Sequence, residues 1–187
     1  MGAVNYHFGS KRQLYAQVLR LAKLPLEPPR SGGRSAPHSS EDRLFGFISF
    51  FLESTLGRDA PTWPGRVLAN ELANPTDLLD ELIQEAIEPH FSRLRSLIGD
   101  ILGPGADRQT IDDHAFGVVS QVVFYRRSRP IIEQLAHRKY GADDTQRLAR
   151  HVFDSVHAAL ESERATMVSG QDSAEPSTPV SVAGETA

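Results

Sequence analysis

The chain has 187 residues, is 40% hydrophobic, carries a formal net charge of −4 and contains no cysteine. Its length suits one globular domain with a short appendage. The lack of cysteine excludes disulfides, thiolate metal sites and thiol nucleophiles, and no apolar run reaches bilayer length, so a soluble cytoplasmic protein is expected with no membrane partner.

The charge is unevenly placed. Residues 1–24 carry Lys11, Arg12, Arg20 and Lys23 without an acid, which leaves −8 on the remainder. A basic head on an acidic body suits an N-terminal element that approaches a polyanion. Within that head, Gly9 can take the positive φ that ends a helix after Phe8, and Ser10 with Gln13 forms a capping box for the next helix. Free amides at that helix start, beside Lys11, suit a backbone phosphate, while Asn5, Tyr6 and His7 project from the preceding turn. The plain alternative is an ordinary helix-Gly-helix corner with a solvated lysine.

The following helix is expected from Ser10 to about Leu24, ended by Pro25, Pro28 and Pro29, and residues 25–39 read as a Gly/Ser/Pro-rich linker. From Ser39 a second amphipathic helix places Leu44, Ile48, Phe51, Leu52 and Thr55 on one face and closes at Gly57. Trp63 and Pro64 open a shorter helix through about Ala73, which carries Val67, Leu68, Glu71 and Leu72. The longest periodic run, Thr76 to Leu102, reads as one helix roughly 40 Å long, kinked at Pro89 where the bond to the Glu85 carbonyl is lost.

Residues 109–126 carry an apolar band too wide for a helix covered on one side. A further helix, about Asp143 to Arg164, has a narrower stripe. Such a pair fits a four-helix dimer interface with a second copy. From Thr166 the composition reads as disordered. The expectation is therefore an all-α chain: a head over 1–24, a linker over 25–39, a helical domain over 40–165 and a tail over 166–187.

Chemistry-bearing groups are few. Polar or aromatic side chains embedded in apolar helices, namely Trp63, Glu71, His90, Gln121, Phe124 and Tyr125, are the candidates for a ligand pocket, since such pockets are mostly apolar with few polar anchors. Their plain alternatives are a domain-capping aromatic for Trp63, a solvated acid for Glu71 and a bond across the dimer for Gln121. His151, Asp154 and His157 fall loosely on one face but lack a fourth metal ligand. Asp112-Asp113-His114 reads as a helix start. Arg126, Arg127 and Arg129 form the densest positive cluster, suited to an anionic ligand or to a solvated helix end. There is no nucleophile elbow, phosphate-cradling glycine loop or HExxH pair, so no enzyme and no cofactor is expected.

The run Val4-Asn5-Tyr6-His7-Phe8-Gly9-Ser10-Lys11 resembles the end of the helix-turn-helix of tetracycline-repressor (TetR) family regulators. Asn70-Glu71-Leu72-Ala73-Asn74-Pro75, Ile87-Glu88-Pro89-His90-Phe91 and Gln121-Val122-Val123-Phe124-Tyr125-Arg126 look like the C-terminal domain of the CecR-like branch of that family. The resemblance covers most of residues 2–160. It implies a TetR-type helical ligand-binding and dimerisation domain behind a partial helix-turn-helix, and a ligand-responsive transcription factor, commonly a repressor, with operator DNA and a small-molecule effector as partners. It places Asn5, Tyr6, His7 and Lys11 at the DNA surface. Only eight residues precede Gly9, too few for the two helices that hold a recognition helix, so the expected reading is a start lying further upstream. The alternatives are a DNA-incompetent dimer that binds a small molecule or partner, and an unrecognised small-molecule enzyme.

Overall fold

A computed structural model of the chain describes residues 10–22, 39–57 and 62–172. The residues expected to project towards DNA, Asn5, Tyr6 and His7, lie outside the described residues, as do the Gly9 corner and most of the 25–39 linker. Among the described residues all regular structure is helical and no helix is long and apolar enough to cross a membrane.

Helix α1, the connector, spans Lys11–Leu21, and Ser10 caps it by accepting from Gln13 N at 3.1 Å. Helix α2 spans Ser40–Leu56 behind a full capping box, in which Ser39 and Asp42 satisfy each other's backbone amides. Helix α3 spans Thr62–Ala73.

The expected single helix over 76–102 is instead three pieces: α4 over Leu79–Leu82, a π turn over Ile83–Ile87 and α5 over Glu88–Leu102. The difference follows from Pro89, which has no N–H to return to Glu85. The chain widens one turn before the proline, where Glu88 N–H bonds Ile83 O five residues back, and Pro89 then sits in the first turn of α5, where an amide is dispensable. The irregularity is thus a π turn ahead of Pro89 rather than a kink at it.

Helix α6 spans Arg108–Arg127 and is capped by Asp107, which accepts from Thr110 N at 2.8 Å. The Asp112-Asp113-His114 run therefore lies inside the helix and does not start it. Asp112 instead accepts from Arg95 at 2.5 Å and Arg108 at 3.1 Å, and this pairing holds its carboxyl below the usual range. A short α7 over Arg129–Leu135 follows, then a 3-10 turn over Ala142–Asp144 and α8 over Thr145–Asp172. Helix α8 outruns the expected Arg164 because Met167 still packs on the core; the Thr166 and Ser169 hydroxyls bond carbonyls four residues back, which adds no stability to the extension.

Two apolar clusters result. Helices α2, α5, α6 and α8 enclose the larger one, with Leu44, Ile48, Leu52, Leu94, Ile98, Val118, Val122, Val152 and Leu160 fully buried. The smaller cluster joins Leu19 of α1 to Leu78, Leu82 and Ala86, with Tyr15, Val67, Leu68 and Ile87 packed around it. The continuous run from α4 to α5 links the two, and the π turn gives Ala86 and Ile87 to the smaller one.

Candidate functional site

The smaller cluster is bordered by a buried polar group. Glu71, in the last turn of α3, is fully buried, and both its oxygens are engaged. Tyr15 of the connector donates its hydroxyl to Oε2 at 2.8 Å. Thr76 donates both its backbone N–H, at 2.8 Å, and its hydroxyl, at 2.7 Å, to Oε1. The Thr76 hydroxyl in turn accepts from Leu78 N at 3.2 Å, at the residue that begins the apolar part of this cluster.

A carboxylate without water is unfavourable unless hydrogen bonds replace its hydration. Burial alone would raise the pKa of Glu71, but the bonds from Thr76 and Tyr15 outweigh it and hold the group below its ordinary value. Burial first, and then the same contact, push the Tyr15 phenol up. Tyr15, Glu71 and Thr76 thus form a charged, directional staple that ties the connector to α3 and to the turn that follows it. Outside the staple, Arg12 pairs with Asp77 at 2.8 Å and Arg20 with Glu81 at 2.5 Å, both in exposed positions. A shallow groove of about 220 Å³, open to solvent, lies between α1 and α4, lined by Ala16, Leu19, Leu78, Glu81 and Leu82.

The other end of α3 meets the body. A Cβ built on Gly65 would overlap the Arg126 guanidinium at the end of α6, so a larger residue there would push the flexible end of the arginine aside. Nearby, Tyr125 lines an open cleft of about 280 Å³ with Leu56, Arg129, Ile132, Tyr140 and Leu148. Glu133 braces that corner. It accepts from Arg129 at 2.9 Å, Tyr140 N at 2.9 Å and Lys139 at 3.2 Å, and the Tyr140 amide first, then Arg129, lower its pKa to about 2.

The expected pocket residues are dispersed by this arrangement. Glu71 is committed to the staple. Tyr125 borders the cleft, with the outward-facing Phe124 ring 6.4 Å from its own. Trp63 is partly exposed at the start of α3, His90 is half-buried early in α5, and Gln121 reaches the Gly117 carbonyl of its own helix at 3.4 Å. Lys11 is exposed in the first turn of α1. Among the described residues no group of three metal-ligating side chains assembles, and His157 stacks on Phe153 with ring centres 5.4 Å apart.

Tyr15 and Thr76 were not among the sequence candidates. The available signal was Glu71 itself, an acid within the apolar run Val67, Leu68 and Leu72, which requires donors if it is buried.

The family model described as HTH-type transcriptional dual regulator CecR, C-terminal domain, matches residues 40–162, about two-thirds of the chain. No curated protein matches it. The match begins with α2 and ends within α8, so it takes in α3 and the body and leaves the connector outside.

Proposed function

The chain belongs to the family of CecR-type transcriptional regulators of the TetR class through this C-terminal domain, and on that premise we propose that it is a ligand-responsive DNA-binding repressor acting as a homodimer. The observation that carries this reading is the docking of the connector. Helix α1 packs on α3, α4 and the π turn through the Tyr15–Glu71–Thr76 staple and the Leu19 cluster, and Leu19 belongs to a cluster separate from the body core. A displacement of α3 relative to the body is therefore passed to the connector, and with it to the DNA-facing residues Asn5, Tyr6, His7 and Lys11.

In a dimer, two recognition elements must meet major grooves about one turn apart, roughly 34 to 36 Å. A small change in connector angle removes many contacts together. An effector shifts that equilibrium by the difference in its affinity for the two arrangements. Tyr125, which borders the cleft, stays the proposed effector contact, Phe124 goes to the proposed dimer face, and Glu71 acts as the transmitter.

The outer face of α6 supports the dimer. Phe116 is 57% exposed and Phe124 58% exposed on a helix whose opposite face, Ala115, Val118 and Val122, is buried. A second copy that covers this face with α6 and α8 removes the rings from water.

The test is salt-dependent binding to promoter fragments, made with the chain as given and with a version extended upstream in frame. Specific binding with a steep salt slope is expected for the extended version, and Lys11→Ala lowers that slope by about one unit without changing sequence preference. If the extended version ignores every fragment at low ionic strength yet sediments as a dimer, the DNA-incompetent ligand or partner module takes its place.

A further inference from the structure

We propose that Arg126, where the end of α6 meets the start of α3, holds the anionic group of an amphipathic organic acid whose apolar part lies between these two helices. Its regulatory meaning rests on the reading of the chain as a ligand-responsive regulator, although the binding itself does not.

The argument begins with a charge that lacks a counterpart. Most of the partly buried charges in this fold are paired: Arg95 with Glu88 and Asp112, Glu133 with Arg129 and Lys139, and Asp144 with Arg138 and Arg147. Arg66, Arg93 and Arg127 make no such pairs, but they are exposed and water solvates them. Arg126 is half-buried, and among the described residues no carboxylate or other acceptor lies within bonding distance of it. Burial pushes its pKa down, with no opposing contribution from a neighbouring acid. A guanidinium that has lost part of its hydration without gaining a partner is unfavourable, and its planar fork is built to receive a carboxylate in two parallel bonds.

The surroundings define the rest of the ligand. The guanidinium lies against Gly65, and the first turn of α3 contains no acid that could neutralise it. One turn along α3 from Gly65 comes Ala69, partly exposed, and one turn back along α6 from Arg126 comes Val123, 44% exposed, while Leu68 and Val122 are taken up by the two clusters. A half-buried cation beside apolar side chains matches a molecule with a negative head and a hydrocarbon body. The neighbouring Arg66 and Arg127 are exposed and stay hydrated, and a neutral apolar molecule would leave the Arg126 guanidinium bare.

Position gives such a ligand a consequence. Gly65 and Glu71 are six residues apart on one helix, about 9 Å along its axis. An anion seated on Arg126 therefore bears on the start of the same rigid element whose far end holds Tyr15 of the connector.

The test uses the full chain with sodium octanoate, its neutral counterpart octanamide, and acetate at matched ionic strength. Trp63 is the only tryptophan and lies two residues from Gly65, so its emission reports on this site. Octanoate is expected to give a saturable change in Trp63 emission, at least about tenfold tighter than octanamide, with no response to acetate. Arg126→Gln should remove the preference for octanoate over octanamide. Gly65→Ala, which favours the helix and so does not act by unfolding it, should displace the guanidinium and weaken octanoate binding by a similar factor. Equal binding of octanoate and octanamide, unchanged binding in Arg126→Gln, or no saturable response overturns the proposal. So does a loss of dimer in Arg126→Gln without an octanoate response, which would assign the guanidinium to contact between subunits. Each of these outcomes leaves the promoter-binding test of the regulator reading standing.

Discussion

The body and the connector assembly are both helical, yet they are held by different physics. In the body, α2, α5, α6 and α8 bury a contiguous set of Leu, Ile, Val and Phe side chains, and apolar packing of this kind fixes a shape by volume. The connector assembly buries four residues, Leu19, Leu78, Leu82 and Ala86, around one fully buried carboxylate. Its geometry is set by hydrogen-bond directions at Glu71, and its small apolar area gives it a low free energy of opening. The proposed regulator would use that division, the part proposed to move being held by a few directional bonds and the part proposed to bind and pair by apolar packing.

The largest expected effect lies in the body. Ile98→Ala empties a fully buried site facing the core and should destabilise the whole domain by about 2 to 5 kcal/mol, read as a lower urea midpoint at unchanged slope. The same truncation in the smaller cluster, Leu82→Ala, should act more locally: amide exchange accelerates in α1 and α3 while α5 and α8 retain their protection. Uniform acceleration across both regions would show that they form one cooperative unit and would remove the contrast.

A directional bond comes next. Tyr15→Phe takes one donor from a buried carboxylate that keeps its two bonds from Thr76, at about 1.5 to 3 kcal/mol for a bond to a charged group. The loss should appear as faster exchange in α1 with the body melt almost unmoved. If exchange in α1 is unaffected, the staple does not hold the connector and the proposed route from α3 to DNA fails with it.

How much of this was legible in the sequence follows the same division. Helices with a sustained apolar stripe, such as Ser40–Leu56 and Arg108–Arg127, were readable because burial on one face imposes the 3.6-residue period on the residues themselves. The π turn was not, since Pro89 announces a lost bond but not on which side the chain absorbs it. Helix α7 carries no apolar stripe in its sequence, because it is seven residues long and buries none of them. At the candidate site, Glu71 stood out as an acid in apolar company. Its partners, Tyr15 and Thr76, are 56 residues and 5 residues away, and nothing in either local pattern couples them. The Arg126 cluster was visible as charge, but which of its arginines lacks a counterpart is a property of the fold alone.

Acid should separate the two regions by their carboxylates. Glu133 in the body has its pKa lowered to about 2, and Glu71 is lowered as well. A depressed carboxyl binds protons less readily in the folded state than in the unfolded one, so its stabilisation is complete above the unfolded value, about 4.5, and declines as pH falls towards the folded value. The melting temperature of the body should therefore fall between about pH 4.5 and 2, and Glu133→Gln should flatten part of that decline. Exchange in α1 should accelerate on acidification through Glu71, even in the Glu133→Gln background. If Glu133→Gln alone abolishes the acid response of the connector, the two regions titrate as one.

The smallest expected effect discriminates most sharply between a staple and a charged surface. Arg12 and Asp77 also join the connector to the turn after α3, at 2.8 Å, but their side chains are 58% and 67% exposed. Exposed pairs of this kind contribute about 0 to 1 kcal/mol, and salt screens them over about 10 Å at 0.1 M. Arg12→Ala should therefore change α1 exchange much less than Tyr15→Phe, and what change there is should vanish on raising the salt to about 1 M, where the Debye length is about 3 Å. The Tyr15–Glu71 bond is part-buried and ends on a fully buried carboxylate, so the effect of Tyr15→Phe should largely persist at that salt. If high salt alone frees the connector of the unmutated chain as far as Tyr15→Phe does, surface charge sets the connector angle, and ionic strength rather than a ligand acting through α3 becomes the variable that governs it.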